Sequence, residues 1–346
     1  MPLDPRTVTI LGIGQMGLVC SALLGSDGNG GRPPLVRTWG HDPDECDALA
    51  QTRSSARLEG FRLGDAVQVC SSAAEALAGA ELIVSAIPVQ FTRDAWASLR
   101  EHVPQRAGVV SVAKGIENDT LRRPTQIIAE ALADDPDGPP RPFACLSGPT
   151  IATELARCLP ATMIAAADDE PFARELQRLF STSYMRVYTN PDLLGVELAG
   201  ATKNVIAIAA GIIDGLAAGA NAKSALLSRG LAEIARLGVA MGASPETFFG
   251  VAGVGDLATT CFSPEGRNRS LGEALGKGVR LDDYLARSTW VVEGVATTQS
   301  VIDLAERYRV DMPITQAVHA VLYQGLDPID AVGRLMSREL KDERLS

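Results

Sequence analysis

From Arg6 to about Tyr188, short runs of β-branched and aliphatic residues alternate with stretches whose apolar positions recur at helical spacing. The runs cover residues 8–12, 35–39, 81–87, 108–113, 143–147, 161–166 and 185–188, and most end in glycine or a turn residue. Helical stretches between successive strands imply parallel neighbours, because a parallel pair needs a long crossover connection. The pattern therefore predicts an α/β, doubly wound sheet. Beyond Asn190 the period changes. Helix follows helix at 193–213, 224–241, 295–309, 313–323 and 328–337, with no alternating strand pattern. Asn190-Pro191 favours a turn ahead of a helix, so the expected division is a sheet domain over 1–189 and an all-helical domain over 190–346. Residues 25–34, GSDGNGGRPP, are too rich in glycine and proline for either element and predict an enlarged surface loop.

Composition narrows the chemistry. With 346 residues and 46% hydrophobic positions, the chain can bury two cores. Its first 17 residues hold one basic side chain and a short apolar run broken by glycines, which reads as neither a signal peptide nor a spanning helix. Six cysteines without a Cys-x-x-Cys pair, and only three histidines, argue for a reducing cytoplasm and against a zinc site. A net charge of -10 with no offsetting Lys/Arg run argues against a nucleic-acid partner. An anionic small molecule would then need a locally basic pocket.

Residues 8–17 read VTILGIGQMG, so Gly12, Gly14 and Gly17 form a G-x-G-x-x-G that follows a strand and opens a helix. That context makes a dinucleotide site a stronger reading than an empty glycine turn. Gly12 permits the tight turn, Gly14 lets backbone approach a pyrophosphate, and Gly17 lets helix and strand pack closely. Gln15 and Met16 would lie against the phosphates. After the second strand, Asp42 could accept from an NAD ribose, while His41 could meet a 2′-phosphate as a cation, so both NAD and NADP stay open.

Ligands of open α/β sheets collect beyond the carboxyl ends of strands, which draws attention to Lys114 after residues 108–113 and to Gly148 and Thr150 after 143–147. Lys203 is the most informative single residue. Its neighbours three and four positions away are Ala199, Gly200, Ile206 and Ala207, so it has no partner on its own helix. On such an apolar face an ammonium loses solvation, its pKa falls, and it can accept a proton near neutral pH. The competing reading is a stem snorkelling to water. Two clusters favour chemistry: Asp256 in a flexible glycine frame (GVGDL, 253–257), and Gly266, Arg267 and Asn268 in a loop suited to phosphate.

Together these residues resemble NAD(P)-dependent glycerol-3-phosphate dehydrogenases over nearly the full chain. The likeness rests on GIGQMG (12–17), WGHD (39–42), AKGIE (113–117), SGPTIATE (147–154), ATKNVIAIAAGIIDG (201–215), SRGLAEIARLG (228–238), GVGDLATTC (253–261), GRNRS (266–270) and VVEG (291–294). It implies a Rossmann-type domain followed by a helical substrate domain, and interconversion of sn-glycerol 3-phosphate with dihydroxyacetone phosphate as a step of phospholipid supply. By matching motif, Lys203 resembles the general base, with Lys114 and Asp256 completing the reacting centre. Gly148, Thr150, Asn204, Thr260, Gly266, Arg267 and Asn268 resemble the substrate set, and Gln15, Met16, His41, Lys114, Ala152, Arg267, Val291 and Glu293 the cofactor set. The resemblance allows a homodimer. The chain departs from the bacterial pattern at Gln15-Met16, where a serine and an aromatic residue are common, and at Gly266, where a serine is usual. Two rivals remain at this stage: a similarly built reductase of a hydroxy acid such as pantoate, which would need a carboxylate site, and a dinucleotide sensor without turnover, which would leave Lys203 and Asp256 unexplained.

Overall fold

The computed structural model describes residues 7–26, 34–136, 138, 140–340 and 342. The elements begin β1 (Thr7–Leu11), α1 (Gln15–Leu24), β2 (Leu35–Trp39), α2 (Pro43–Thr52), β3 (Val67–Cys70), α3 (Ala73–Leu77), β4 (Leu82–Ser85), α4 (Val89–Leu99) and β5 (Gly108–Ser111). They continue with α5 (Pro124–Leu132), β6 (Phe143–Ser147), α6 (Ala152–Ala156), β7 (Ala161–Ala167), α7 (Glu170–Phe180) and β8 (Met185–Asn190). The rest is helical: α8 (Leu193–Gly215), α9 (Gly219–Ala240), α10 (Pro245–Phe249), α11 (Asp256–Phe262), α12 (Arg267–Gly276), α13 (Leu281–Arg287), α14 (Glu293–Tyr308), α15 (Pro313–Tyr323) and α16 (Pro328–Met336).

Two compact units result: Met1–Ala113 with Pro124–Leu193, and Lys114–Arg123 with Leu194–Ser346. The division expected at residue 190 thus omits one exchange, since residues 114–123 cluster with the helical unit. The predicted loop at 25–34 falls largely on residues 27–33, outside those described.

The first unit is an eight-stranded sheet in the order β3-β2-β1-β4-β5-β6-β7-β8. Chain order reverses between β1 and β4, and this switch point is where an open sheet leaves a crevice beyond its strand ends. β1 is parallel to both β2 and β4, with Leu11 opposite Trp39 on one side and Ser85 on the other. Its buried Val8 and Ile10 pack in a core with Leu18, Leu23, Val84 and Val110. Two features depart from the expected strands: one is added, and one pairing is antiparallel. β3 is an additional edge strand of four residues, too short to stand out as a run. β6 and β7 pair antiparallel, because the chain between them carries only the short α6 and turns back through Cys158 at a left-handed φ of 56°.

The second unit packs around α8, whose Val205, Ile206, Ala207, Ile208 and Ala210 share a core with Leu237, Phe248, Leu257, Leu271 and Val301. By length and composition α8 could cross a bilayer, yet its apolar window is wholly buried within the protein, as in a core helix. Helices α10 to α13 had no long apolar period to announce them. Asp256 consequently opens α11 instead of sitting in a flexible glycine loop, and Arg267 and Asn268 form the first turn of α12 instead of a loop.

Candidate functional site

Gly12 leaves β1 at a φ of +112°, a conformation that side chains resist, and its N–H donates to Trp39 O at 2.7 Å. A β-carbon at Gly12 would lie 2.7 Å from Ala86 O, and one at Gly17 would lie 1.8 Å from Gly12 O. Strand, turn and helix can therefore close only with glycine at both positions. At Gly14 a β-carbon would meet nothing within 4 Å, so the turn leaves open space above it. α1 starts there with no side-chain cap, and Gln15 and Met16 are its first two residues. Uncapped amides beside open space at a strand-order reversal are what a pyrophosphate requires, and these residues fit a dinucleotide.

Elsewhere in the sheet unit, exposed His41 follows β2, whereas Asp42 Oδ1 caps α2 by accepting from Asp44 N–H at 2.9 Å and Glu45 N–H at 3.4 Å. Beyond β6, Gly148 has a φ of +143°, the Thr150 hydroxyl donates to Gly148 O at 3.0 Å, and Ala152 opens α6. These lie in the same unit as the glycine turn.

The helical unit gathers the titratable residues that the sequence singles out. Lys203 projects from α8, Asp256 from the start of α11, and Lys114 from the 114–123 segment. Asp256 Oδ1 accepts from Lys203 Nζ at 2.5 Å and Oδ2 from Lys114 Nζ at 2.6 Å. Lys203 Nζ also donates to the Thr260 hydroxyl at 2.6 Å, and that hydroxyl donates onward to Asp256 O at 2.7 Å. Lys203 thus lacks a partner on its own helix but finds two on α11. At 5% and 1% exposure, Lys203 and Asp256 are both removed from water, which strengthens every charge interaction here.

Burial pushes the Lys203 ammonium from its ordinary value down to about 8, with neighbouring Lys114 pushing the same way and Asp256 opposing. For Asp256, burial acts upward, but Lys114 and Lys203 together hold it below the usual carboxylate range. An ordinary lysine stays protonated far above neutrality, so this one can exchange a proton under mild conditions.

The local fold explains this convergence. A π-helical turn, Val251–Gly255, precedes α11, and a β-carbon at Gly253 would lie 2.0 Å from Phe248 O. The wide turn delivers Asp256 inward; such turns recur at functional sites. Asn204 Nδ2 donates to Lys114 O at 3.2 Å, fixing the segment that carries that lysine. The Ser300 hydroxyl of α14 donates to Ile116 O at 3.0 Å and also contacts Asn118. Sequence reasoning passed over Ser300, since no motif singles it out.

A second group opens α12. Gly266 is the N-cap, without a side-chain cap, so the first amides of a ten-residue helix lie beside the Arg267 and Asn268 side chains. Asn268 is buried and its Oδ1 accepts from Gly294 N–H at 2.9 Å, which leaves its amide N–H groups as donors. A β-carbon at Gly294 would lie 2.5 Å from that oxygen; Gly294 was part of the VVEG run but had been given no role. Exposed Arg267 donates to Val291 O at 3.2 Å. Glu293 opens α14, and burial pushes its carboxyl up against the pull of Arg267, Lys114 and Lys203.

The chain is similar along nearly its full length to known proteins. Residues 7–173 match the model of the NAD-dependent glycerol-3-phosphate dehydrogenase N-terminus, and residues 192–333 match that of its C-terminus. The chain is 42% identical over 337 residues to a glycerol-3-phosphate dehydrogenase [NAD(P)+] of Chlorobium limicola, covering 97% of this chain and 99% of that protein. It is 42% identical over 344 residues to the enzyme of that name from Geobacillus kaustophilus, covering 98% of this chain and 96% of that one. Among solved structures, glycerol-3-phosphate dehydrogenase from Coxiella burnetii superposes with a TM-score of 0.89 at 32% identity, covering 96% of this chain and 99% of that one. By sequence along its whole length and by fold, the chain belongs to the NAD(P)-dependent glycerol-3-phosphate dehydrogenase family.

Proposed function

We propose that the protein interconverts sn-glycerol 3-phosphate and dihydroxyacetone phosphate with NAD or NADP, using Lys203 as the proton-transferring group. The observation that carries this reading is the valence of the Lys203 nitrogen. A lysine amine has two N–H groups and an ammonium three, and two of its directions are occupied by Asp256 and Thr260. The third serves the substrate oxygen, as a lone pair when Lys203 is neutral and as an N–H when it is charged. In oxidation, neutral Lys203 accepts the proton of the C2 hydroxyl as the C2–H bond breaks; in reduction, charged Lys203 returns it. Asp256 holds both lysines in place and supplies the counter-charge that allows two ammonium groups to share one site. Lys114 stabilises negative charge growing on the C2 oxygen. Arg267, the Asn268 amide and the uncapped start of α12 would bind the phosphate.

The glycine turn with Gln15, Met16, His41 and Ala152 would hold the dinucleotide. When bound, the nicotinamide supplies the acceptor or donor for the hydride. Glycerol 3-phosphate is the backbone of phospholipids, so supply of that backbone is the proposed cellular role. A cytoplasmic setting is supported by six free cysteines, five of them buried. A homodimer is the proposed assembly, readable by light scattering.

Coenzyme oxidation driven by dihydroxyacetone phosphate, dihydroxyacetone and ketopantoate tests the function. The expected result is a kcat/KM at least a hundredfold higher for the phosphorylated ketone, with both NADH and NADPH assayed. Preference for ketopantoate would support the hydroxy-acid reductase instead, and coenzyme binding without turnover of any ketone would support a sensor.

A further inference from the structure

The second arginine of the GRNRS run has no part in the chemistry above, yet its side chain is only 13% exposed and is bonded through both Nε and Nη1. Arg269 Nη1 donates to Asp214 Oδ2 at 2.6 Å, near the end of α8. Its Nε donates to Ser263 O at 2.8 Å, the residue that ends α11, and Arg269 itself lies in the first turn of α12. One planar guanidinium therefore ties together the helix bearing Lys203 and Asn204, the helix bearing Asp256 and Thr260, and the helix bearing Arg267 and Asn268. Asp214 is held twice over, since Lys223 of α9 donates to its two oxygens at 2.9 and 2.7 Å and stacks 4.9 Å from the Phe262 ring at the end of α11.

The backbone beneath this knot is built for close approach. β-carbons at Gly211 and Gly272 would lie 2.0 Å from Arg269 O and from Ile208 O, and ones at Gly215 and Gly276 would lie 2.4 Å from Glu273 O and 2.6 Å from Ile212 O. Two glycines four residues apart on α8 thus face two glycines four residues apart on α12, and the helices touch backbone to backbone. Close packing fixes their separation but leaves sliding along the contact to be resisted, and a planar group with arms bonded to two different helices supplies that resistance.

We infer that Arg269, anchored on Asp214, is a positioning residue that sets the span between the phosphate-binding start of α12 and the proton-transferring Lys203. The inference rests on the phosphate reading of Arg267 and Asn268 given above. Arg269 reaches no substrate atom; it holds α12 in register so that a phosphate bound at one end presents its C2 carbon to Lys203 at the other. A shift of about 1 Å in such a constellation can lower turnover a hundredfold.

The experiment measures wild type, Arg269→Met, Arg269→Lys and Asp214→Asn with dihydroxyacetone phosphate and with unphosphorylated dihydroxyacetone, and measures inhibition by inorganic phosphate. Arg269→Met should lower kcat for the phosphorylated ketone about a hundredfold, while inhibition by inorganic phosphate, which occupies only the start of α12, changes less than threefold. Coenzyme affinity and the poor rate with dihydroxyacetone should change less than threefold. Arg269→Lys keeps the charge toward Asp214 but lacks the second arm to Ser263 O, so it should fall between Arg269→Met and wild type. Its partial rescue also keeps the inference testable should Arg269→Met fail to fold. An unchanged kcat for the phosphorylated ketone in Arg269→Met, or parallel losses with both ketones and with coenzyme, would overturn the positioning role. If the wild type itself shows no preference for the phosphorylated ketone, the phosphate reading fails, and that result is distinct from the failure of Arg269.

Discussion

At the scale of single residues, the central quantity is the proton affinity of Lys203. Burial lowers it to about 8, and the sign of the consequence differs with direction. Oxidation needs the neutral amine, so kcat/KM for glycerol 3-phosphate should rise with pH and level off above about 8. Reduction needs the ammonium, so kcat/KM for dihydroxyacetone phosphate should be flat at lower pH and fall above the same point. Profiles in both directions on one preparation check this, and two profiles of the same sign would contradict it. The apolar neighbours of Lys203 were legible in the sequence because helical spacing places them. Its Asp256 and Thr260 partners lie 53 and 57 positions away, and no local pattern encodes such a pairing.

At the scale of elements, the π-helical turn before α11 determines where Asp256 points. Gly253 permits it by bringing backbone within contact of Phe248 O. Gly253→Ala places a methyl group where there is no room, so the turn must rewind and Asp256 must swing away from both lysines. The expected outcome is a fall in kcat of about a hundredfold, with coenzyme affinity little changed. Steady-state kinetics with a coenzyme titration reads both. Long periodic helices such as α8, α14 and α15 were visible in the sequence, and so were the strands of the sheet's centre. Helices α10 to α13 were not. They are short, rich in polar residues, and stabilised by packing on the core of the helical unit more than by an amphipathic period of their own.

At the scale of the whole molecule, the two units divide the labour: one carries the glycine turn, and the other carries the lysines, Asp256 and the start of α12. Residues 114–123 cross that division in sequence, which a reading by composition alone could not reveal because the segment is short and its anchors, Asn204 and Ser300, are distant. A ligand that binds the folded state raises its stability by mass action, about 2.7 kcal/mol at a hundredfold excess over Kd. Saturating coenzyme should accordingly raise Tm by several degrees in the wild type. In Gly14→Val, whose side chain would occupy the open space of the turn, the rise should vanish while Tm without coenzyme changes little.

The most direct test is Lys203→Ala, with turnover and coenzyme affinity measured on the same protein. Loss of the proton-transferring amine predicts a fall in kcat of about 10²- to 10⁴-fold in both directions, with coenzyme Kd within threefold of wild type. Turnover within tenfold of wild type, or a coenzyme affinity that collapses together with turnover, would contradict the assignment.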